Sequence, residues 1–168
     1  MKITDHKLRT DRIVFYAKEM EELDSELDSF LELSGARCAL LIDREGHMVT
    51  RRGETVAGSL ESLSALIAGS FAATREVASI LGEEEFSTLF HQGARNSIQL
   101  SLLGPRTLLG IVWDDRTNLG LVRFYAQETT KRLEEILTAA RERPASENDE
   151  GLGEDYSQEA AAALDDLF

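Results

Sequence analysis

The sequence predicts an α+β fold, within the broad α/β class, in which helices cover both faces of a five-stranded, mostly antiparallel sheet. The predicted elements follow one another in the order α-β-β-α-β-β-β-α. Links between consecutive strands are too short for the crossover that a parallel pair needs, so these strands are expected to run antiparallel. The chain has 168 residues, of which 42% are hydrophobic, and this is enough for one compact domain and a tail.

The first half of the domain begins with a helix and a hairpin. Apolar side chains recur at spacings of three and four over residues 13–34, which predicts an amphipathic helix. A nearly all-apolar run at 37–43 predicts a buried strand, and the turn residues of 43–46 lead to a second strand at 47–52. Cys38 lies inside the buried strand, so we expect a core thiol rather than a nucleophile.

The second half continues with a helix, three strands and a last helix. The helix at 59–81 has Ser59 as its N-cap and Gly82 after its end. Short, turn-rich links separate the three strands, which are predicted at 86–91, 96–104 and 107–115. The last of these is the most apolar and is expected at the centre of the sheet. The final helix is predicted over 117–141, and Pro144 marks its end.

The charge balance excludes several classes of partner. The chain carries 31 acidic and 18 basic residues, a net charge of -13. Nucleic acid and anionic lipid both require a basic surface, so neither is expected as a partner. No apolar run is long enough to span a bilayer. Residues 1–12 are basic, are expected to be flexible and do not resemble a signal peptide. With a single cysteine, a cytoplasmic protein is the default expectation.

No active site is predicted. The chain lacks the phosphate-binding string GxxxxGK[ST], and the three histidines His6, His47 and His91 are far apart in sequence. The paired acids Asp114 and Asp115 precede the last helix, where their charge suits its positive end. We therefore expect no metal, no cofactor and no enzymatic activity of the chain itself.

The helix at 59–81 is apolar on two sides. A helical wheel assigns one side to the sheet: Leu60, Leu63, Leu66, Ile67, Val77 and Leu81. The other side carries small residues, namely Ala65, Ala68, Gly69, Ala72 and Ser79. Charged residues border it, namely Glu61, Arg75 and Glu76. Small residues permit close approach of another backbone, which indicates a contact with a second copy or another protein. The alternative is that alanine is simply a good helix former on a surface, although a mid-helix glycine costs ~0.5–1 kcal/mol.

The C-terminal segment differs in kind from the domain. Residues 144–168 contain eight acidic residues and no basic one. We divide this end of the chain into an acidic linker at 142–155 and a tail motif at 156–168. In the tail, Ala161, Leu164 and Phe168 are spaced to share one side of a short helix, a pattern typical of segments that fold in a partner's groove.

Four blocks of sequence carry a family resemblance in combination: GARCALLIDREGHMV, SLSALIAGSFAATREVASILGEEEF, FHQG and IVWDDRTNLGLVR. Together with the order of the elements, they resemble the roadblock/dynein light chain family over residues 13–141. The resemblance implies a homodimer whose second helices lie side by side and whose edge strands join into one sheet. The edge-strand residues would be Phe86, Thr88 and Phe90.

The resemblance also implies a function in bacteria. Such a dimer would bind the GTP-bound form of a small Ras-like GTPase of the MglA type through the small-residue side of the second helix. It would act as a GTPase-activating protein that controls cell polarity and motility, in the cytoplasm at a cell pole. Leu164, Leu167 and Phe168 of the tail would make a second contact with the GTPase. Two alternatives remain open: a non-catalytic dimeric scaffold, and a profilin-like module that senses a small ligand.

Loop arginines are the residues that could assist GTP hydrolysis directly. An inserted arginine can accelerate hydrolysis by ~10³ to 10⁵-fold because it neutralises charge that develops in the transition state. The candidates lie in the predicted turns: Arg44, Arg95, Arg106 and Arg116. The resemblance implies a different mechanism, in which the dimer inserts no arginine and instead holds the GTPase's own catalytic groups in place.

Overall fold

A computed structural model of the chain describes residues 15–55 and 58–143. The elements are α1 (Ala17–Ser34), β1 (Cys38–Asp43), β2 (Met48–Gly53), α2 (Leu60–Leu81), β3 (Thr88–Gln92), β4 (Ser97–Leu103), β5 (Thr107–Trp113) and α3 (Leu119–Glu142). The predicted element order is thereby confirmed. The predicted flexible N-terminus, the tail motif and all of the acidic linker except its first two residues lie outside the described residues.

The five strands form one antiparallel sheet in the order β2-β1-β5-β4-β3. All seven residues of β5 are buried, as are five of the six residues of β1, because both faces of these strands are apolar and both are covered. The predicted central position of β5 is confirmed. Strands β2 and β3 form the two edges.

The two faces of the sheet support separate hydrophobic cores. Helices α1 and α3 cover one face, where Leu27, Phe30 and Leu133 pack with Leu41 and Leu109 of the strands. Among the described residues, helix α2 alone covers the other face. Alternation along the strands assigns successive residues to opposite cores, so that Leu40 and Leu108 belong to the second one. Residues Phe15–Thr138 form one compact unit.

Helix α3 begins two residues later than predicted. The side-chain oxygen of Asn118 accepts a hydrogen bond from the Leu121 backbone N–H at 3.0 Å, which caps the helix. The Thr117 hydroxyl is used elsewhere, since it donates to the Ser34 carbonyl at 2.6 Å and joins the start of α3 to the end of α1. In the described part of the chain, no helix combines the length and hydrophobicity needed to cross a membrane.

Candidate protein-interaction surface

Helix α2 has one face on the sheet and one face in solvent. The buried face contains three small residues and two large ones: Ser64, Ile67, Ala68, Phe71 and Ala78. Ile67 and Phe71 belong to the same core cluster as Leu40, Leu100 and Leu108 of the sheet. The small side chains between them let the helix lie close to the strands.

The solvent face of α2 carries large apolar side chains. The exposed fraction is 71% for Leu66, 50% for Val77, 80% for Ile80 and 67% for Leu81. Contiguous large apolar side chains in water usually mark a protein contact. Five residues at spacings of three or four form one exposed row, which we call the outer stripe: Leu66, Gly69, Ala73, Val77 and Ile80.

The rotation of α2 about its axis differs from the predicted one. The prediction that Leu66, Val77 and Leu81 pack on the sheet is wrong, because all three are exposed. The predicted exposure of Ala68 is also wrong, because this residue is buried. Phe71, the largest side chain of the helix, lies one turn after Ile67, and this pair decides which side faces the strands. The opposite side is also apolar, so helical periodicity alone could not choose between them.

Two small residues of α2 have different structural contexts. The β1–β2 turn approaches the helix at Ala65, where a Cβ atom added to Gly46 would lie 2.9 Å from the Ala65 Cα. By contrast, a Cβ atom at Gly69 would meet nothing within 4 Å. Packing within the described chain therefore gives no reason for this helix-destabilising glycine. The other predicted contact residues are exposed: Glu61, Ala65, Ala72, Arg75, Glu76 and Ser79.

The two edges of the sheet differ in charge. Strand β2 contains Arg51 and Arg52, and the latter forms an ion pair with Asp28 of α1 at 2.7 Å. Charged side chains on an edge strand discourage pairing with another sheet. Strand β3 has the sequence TLFHQ, without any acidic residue, lysine or arginine. The β3 edge is thus open to a further strand.

The three residues predicted for this edge occupy different positions. Thr88 and Phe90 lie in β3, whereas Phe86 precedes the strand and is half-buried. The Phe90 ring stacks on that of Trp113, with a centroid distance of 5.7 Å, and the Arg123 guanidinium lies 5.8 Å from the Phe90 centroid. Phe90 therefore supports the α3 side of the sheet and leaves the backbone edge of β3 exposed.

An ionic network joins Glu54, which follows β2, to Arg37 before β1 and Arg116 after β5. The Glu54 carboxylate accepts hydrogen bonds from Arg116 at 2.7 Å and from Arg37 at 3.0 Å. Arg116 also donates to Asp114 at 2.9 Å, and Arg37 donates to the Asn96 side chain at 2.6 Å. The bonds from Arg116 and Arg37 lower the pKa of Glu54 to about 2. The bond from the Arg116 side chain likewise lowers the pKa of Asp114.

A second ionic cluster ties the β1–β2 turn to the link between α2 and β3. Arg44 donates to Glu85 at 2.8 Å, and Arg75 of α2 lies 3.5 Å from the same carboxylate. The hydrogen bond from Arg44 lowers the pKa of Glu85. Two of the four loop arginines, Arg44 and Arg116, are therefore already engaged with carboxylates of their own chain.

Three potential metal ligands meet in the β1–β2 turn, a grouping that the sequence analysis did not anticipate. Asp43, Glu45 and His47 place one ligand atom each within 4.8 Å of one another. The Asp43 carboxylate accepts hydrogen bonds from the backbone N–H groups of Glu45 and His47, both at 2.9 Å, so its position is accounted for by the turn.

Cys38 is buried in β1, as predicted, and this burial raises the pKa of its thiol.

Comparison with known proteins decides the family. The Roadblock/LC7 domain model matches residues 22–112. The chain belongs to the roadblock/LC7 family. Comparison with curated protein sequences gives no significant match.

Solved structures agree with this roadblock assignment. MglB of Myxococcus xanthus is 31% identical, with a TM-score of 0.71, over 76% of this chain and 96% of that protein. The gliding protein MglB of Thermus thermophilus is 33% identical, with a TM-score of 0.70 and the same coverage. A structure described as MglB with tetrameric arrangement is 32% identical, with a TM-score of 0.73, over 76% of this chain and 96% of that one. This roadblock protein is thus MglB-like, and the predicted roadblock fold is confirmed.

Proposed function

We propose that this chain is a homodimeric GTPase-activating protein for a small Ras-like GTPase of the MglA type, which it binds in the GTP-bound state. The outer stripe of α2 carries the proposal, because it is a row of apolar side chains with no partner in the described chain. The likeness to MglB proteins supports the same conclusion. The process controlled would be bacterial cell polarity and motility, at a cell pole.

The proposed dimer uses two surfaces of each copy. The α2 helices of two copies pack side by side, and Gly69 and Ala73 in the middle of the outer stripe permit a close approach. The uncharged β3 edges pair to extend the sheet across both copies. Such an assembly removes part of the apolar stripe of α2 from water, leaves part of it for the GTPase, and supplies the hydrogen bonds that an unpaired edge lacks.

The GTPase would lie on the face formed by the two α2 helices. The charged residues Glu61, Arg75 and Glu76 border the apolar stripe and would form the polar rim of the contact. Activation would come from holding the switch loops of the GTPase in their productive arrangement. Arg44 and Arg116 are already bonded to Glu85 and Glu54, which favours this mechanism over an inserted arginine.

GTP turnover by an MglA-type GTPase, measured with and without the chain, tests the proposal. We expect acceleration by the native chain and loss of it in Ile80→Glu. Leu33→Glu is the matched control, because Leu33 is 58% exposed and is likewise the penultimate residue of its helix. Any cost of a carboxylate at a helix end is then the same in both variants. Binding without acceleration would instead identify the scaffold.

The same assay separates the two mechanisms of activation. Single alanine substitutions of the four loop arginines are expected to leave most of the acceleration intact: Arg44, Arg95, Arg106 and Arg116. A loss of about 100-fold or more in one of them, with binding preserved, would identify an arginine that acts on GTP and overturn the proposed mechanism.

The tail is proposed to make a second contact with the GTPase through its apolar residues. The triple variant Leu164→Ser, Leu167→Ser and Phe168→Ser would weaken binding, while the compact unit keeps its unfolding midpoint. A matched variant with substitutions at Ala161, Ala162 and Ala163 retains the three large side chains and should bind as the native chain does.

The profilin-like alternative has less support, because side chains fill the space between the sheet and α2.

A further inference from the structure

A groove of about 650 Å³ lies between α3 and the β3–β4 side of the sheet, on the face opposite α2. Two polar side chains form its floor, Gln99 and Ser101 of β4, which are only 5% and 8% exposed. One wall is formed by Ser87 and Thr88 at the start of β3, and the other is the face of α3 that presents Arg123 and Lys131. Most of the residues that line the groove are therefore polar, although it lies at the edge of a hydrophobic core.

The two cations of this groove lack acidic partners among the described residues, unlike most of the cations around them. Arg123 lies beside the Phe90 ring and donates to the Gln99 side-chain oxygen at 3.4 Å, and Lys131 forms no ion pair with any described residue. Arg132, the next residue along α3, points to a different groove and is bonded to Glu26 and Glu128. In a chain with a net charge of -13, two unneutralised cations in one groove form an uncommon positive site.

The floor of the groove completes a site for carboxylates. Gln99 donates from its Nε2 to the Ser101 hydroxyl oxygen at 3.3 Å, so the hydroxyl proton of Ser101 is available to an acceptor in the groove. Carboxylate oxygens accept such bonds and pair with guanidinium and ammonium groups. An open groove of this length along a helix suits an extended acidic peptide.

We propose that this groove binds the acidic segment 144–155 of a second copy of the chain, which leaves the apolar end of the tail for the GTPase. That segment contains five acidic residues and no basic one, which makes its charge complementary to Arg123 and Lys131. The inference rests on the proposed homodimer, in which the β3 wall of the groove would lie at the junction of the two copies. The groove lies on the face opposite the outer stripe, so an occupied groove leaves α2 free for the GTPase.

Carbodiimide cross-linking of the full chain tests this proposal, because it joins a lysine amine directly to a nearby carboxylate. Unlabelled and ¹⁵N-labelled copies are mixed, and subunit exchange is verified by native mass spectrometry. We expect amide links from Lys131 to carboxylates of residues 144–155 that join light and heavy copies. Lys18 is the internal control: it lines an acidic groove with Glu21, Glu22 and Glu26 and should form few such links. Added salt should reduce the Lys131 yield.

Substitutions then decide whether the groove is responsible. Arg123→Gln should lower the Lys131 link yield several-fold, whereas Arg132→Gln, its matched control on the same helix, should leave the yield unchanged. A dimer by light scattering without Lys131 links to residues 144–155 would overturn the inference and leave the proposed function standing. Links confined to single copies, or a yield insensitive to Arg123→Gln, would also overturn it. A monomer by light scattering would remove the homodimer and this inference together.

Discussion

Helices α1 and α2 pack on opposite faces of the same sheet, and the side chains on their outward sides differ in polarity. Both helices bury apolar side chains against the strands. The outward side of α1 carries charged residues such as Glu21, Glu22 and Glu32, which suit water. The outward side of α2 carries Leu66 and Ile80, which do not. The buried sides stabilise the fold, and the outward sides determine which helix is available to another protein.

One substitution placed on the two sides of α2 gives the largest expected contrast. Ala68→Arg inserts a cation into the buried side, and an unpaired buried charge costs roughly 3–5 kcal/mol, so we expect loss of cooperative folding. Ala72→Arg lies on the exposed side and should change the free energy of unfolding by no more than about 0.5 kcal/mol. The second variant should nevertheless fail to co-elute with the GTPase. Urea unfolding followed by circular dichroism and gel filtration measure the two effects, and equal stabilities would contradict the assigned rotation of α2.

Truncation to alanine sharpens the same comparison. Phe71→Ala removes a buried ring and should lower the free energy of unfolding by about 3–5 kcal/mol at every protein concentration. Leu66→Ala removes an exposed side chain, so any loss should come from weakened association and should disappear on dilution. Unfolding midpoints over a dilution series distinguish the two. A loss in Leu66→Ala that persists on dilution would place this side chain in the core instead.

Much of the fold could be predicted because its patterns are local. The apolar runs of β1 and β5 identify two-sided burial, and the spacing of three and four in α1 identifies its buried side. The buried side of α2 could not be read in this way, because both of its sides are apolar. The size of Phe71 was the available indication, since the largest side chain of a helix is rarely left in water.

Side-chain contacts between distant parts of the chain escaped prediction. Arg37, Glu54 and Arg116 come together only because antiparallel pairing places the start of β1 beside the ends of β2 and β5. Gln99 and Ser101 of β4 are polar, yet both are buried because α3 lies across them. The tertiary packing of a helix on a strand is not encoded in the alternation of that strand.

Gly69→Ala should have smaller effects, of opposite sign, on the stability of the isolated chain and on dimerisation. The added methyl group meets nothing within 4 Å, and alanine favours a helix, so the isolated chain should gain ~0.5–1 kcal/mol in free energy of unfolding. If the outer stripe packs closely on a second helix, the same methyl group should weaken dimerisation. Sedimentation equilibrium and unfolding of the diluted chain measure the two opposite changes. Tighter association in this variant would rule out a close approach at Gly69.

The smallest expected effect concerns the ionic network around Glu54. This network lies at the protein surface rather than in the core. Because bonds from Arg116 and Arg37 lower the folded-state pKa of Glu54 from 4.5 to about 2, the unfolded chain binds more protons than the folded chain between these values. The contribution of Glu54 to stability is therefore complete above its ordinary pKa and is lost as the pH falls toward about 2. We expect the urea midpoint of the native chain to fall more steeply over this range than that of Glu54→Gln. Arg116→Gln should flatten the slope in the same direction, since it removes the principal donor. An unchanged slope in both variants would mean that the network contributes nothing to the stability of the folded chain.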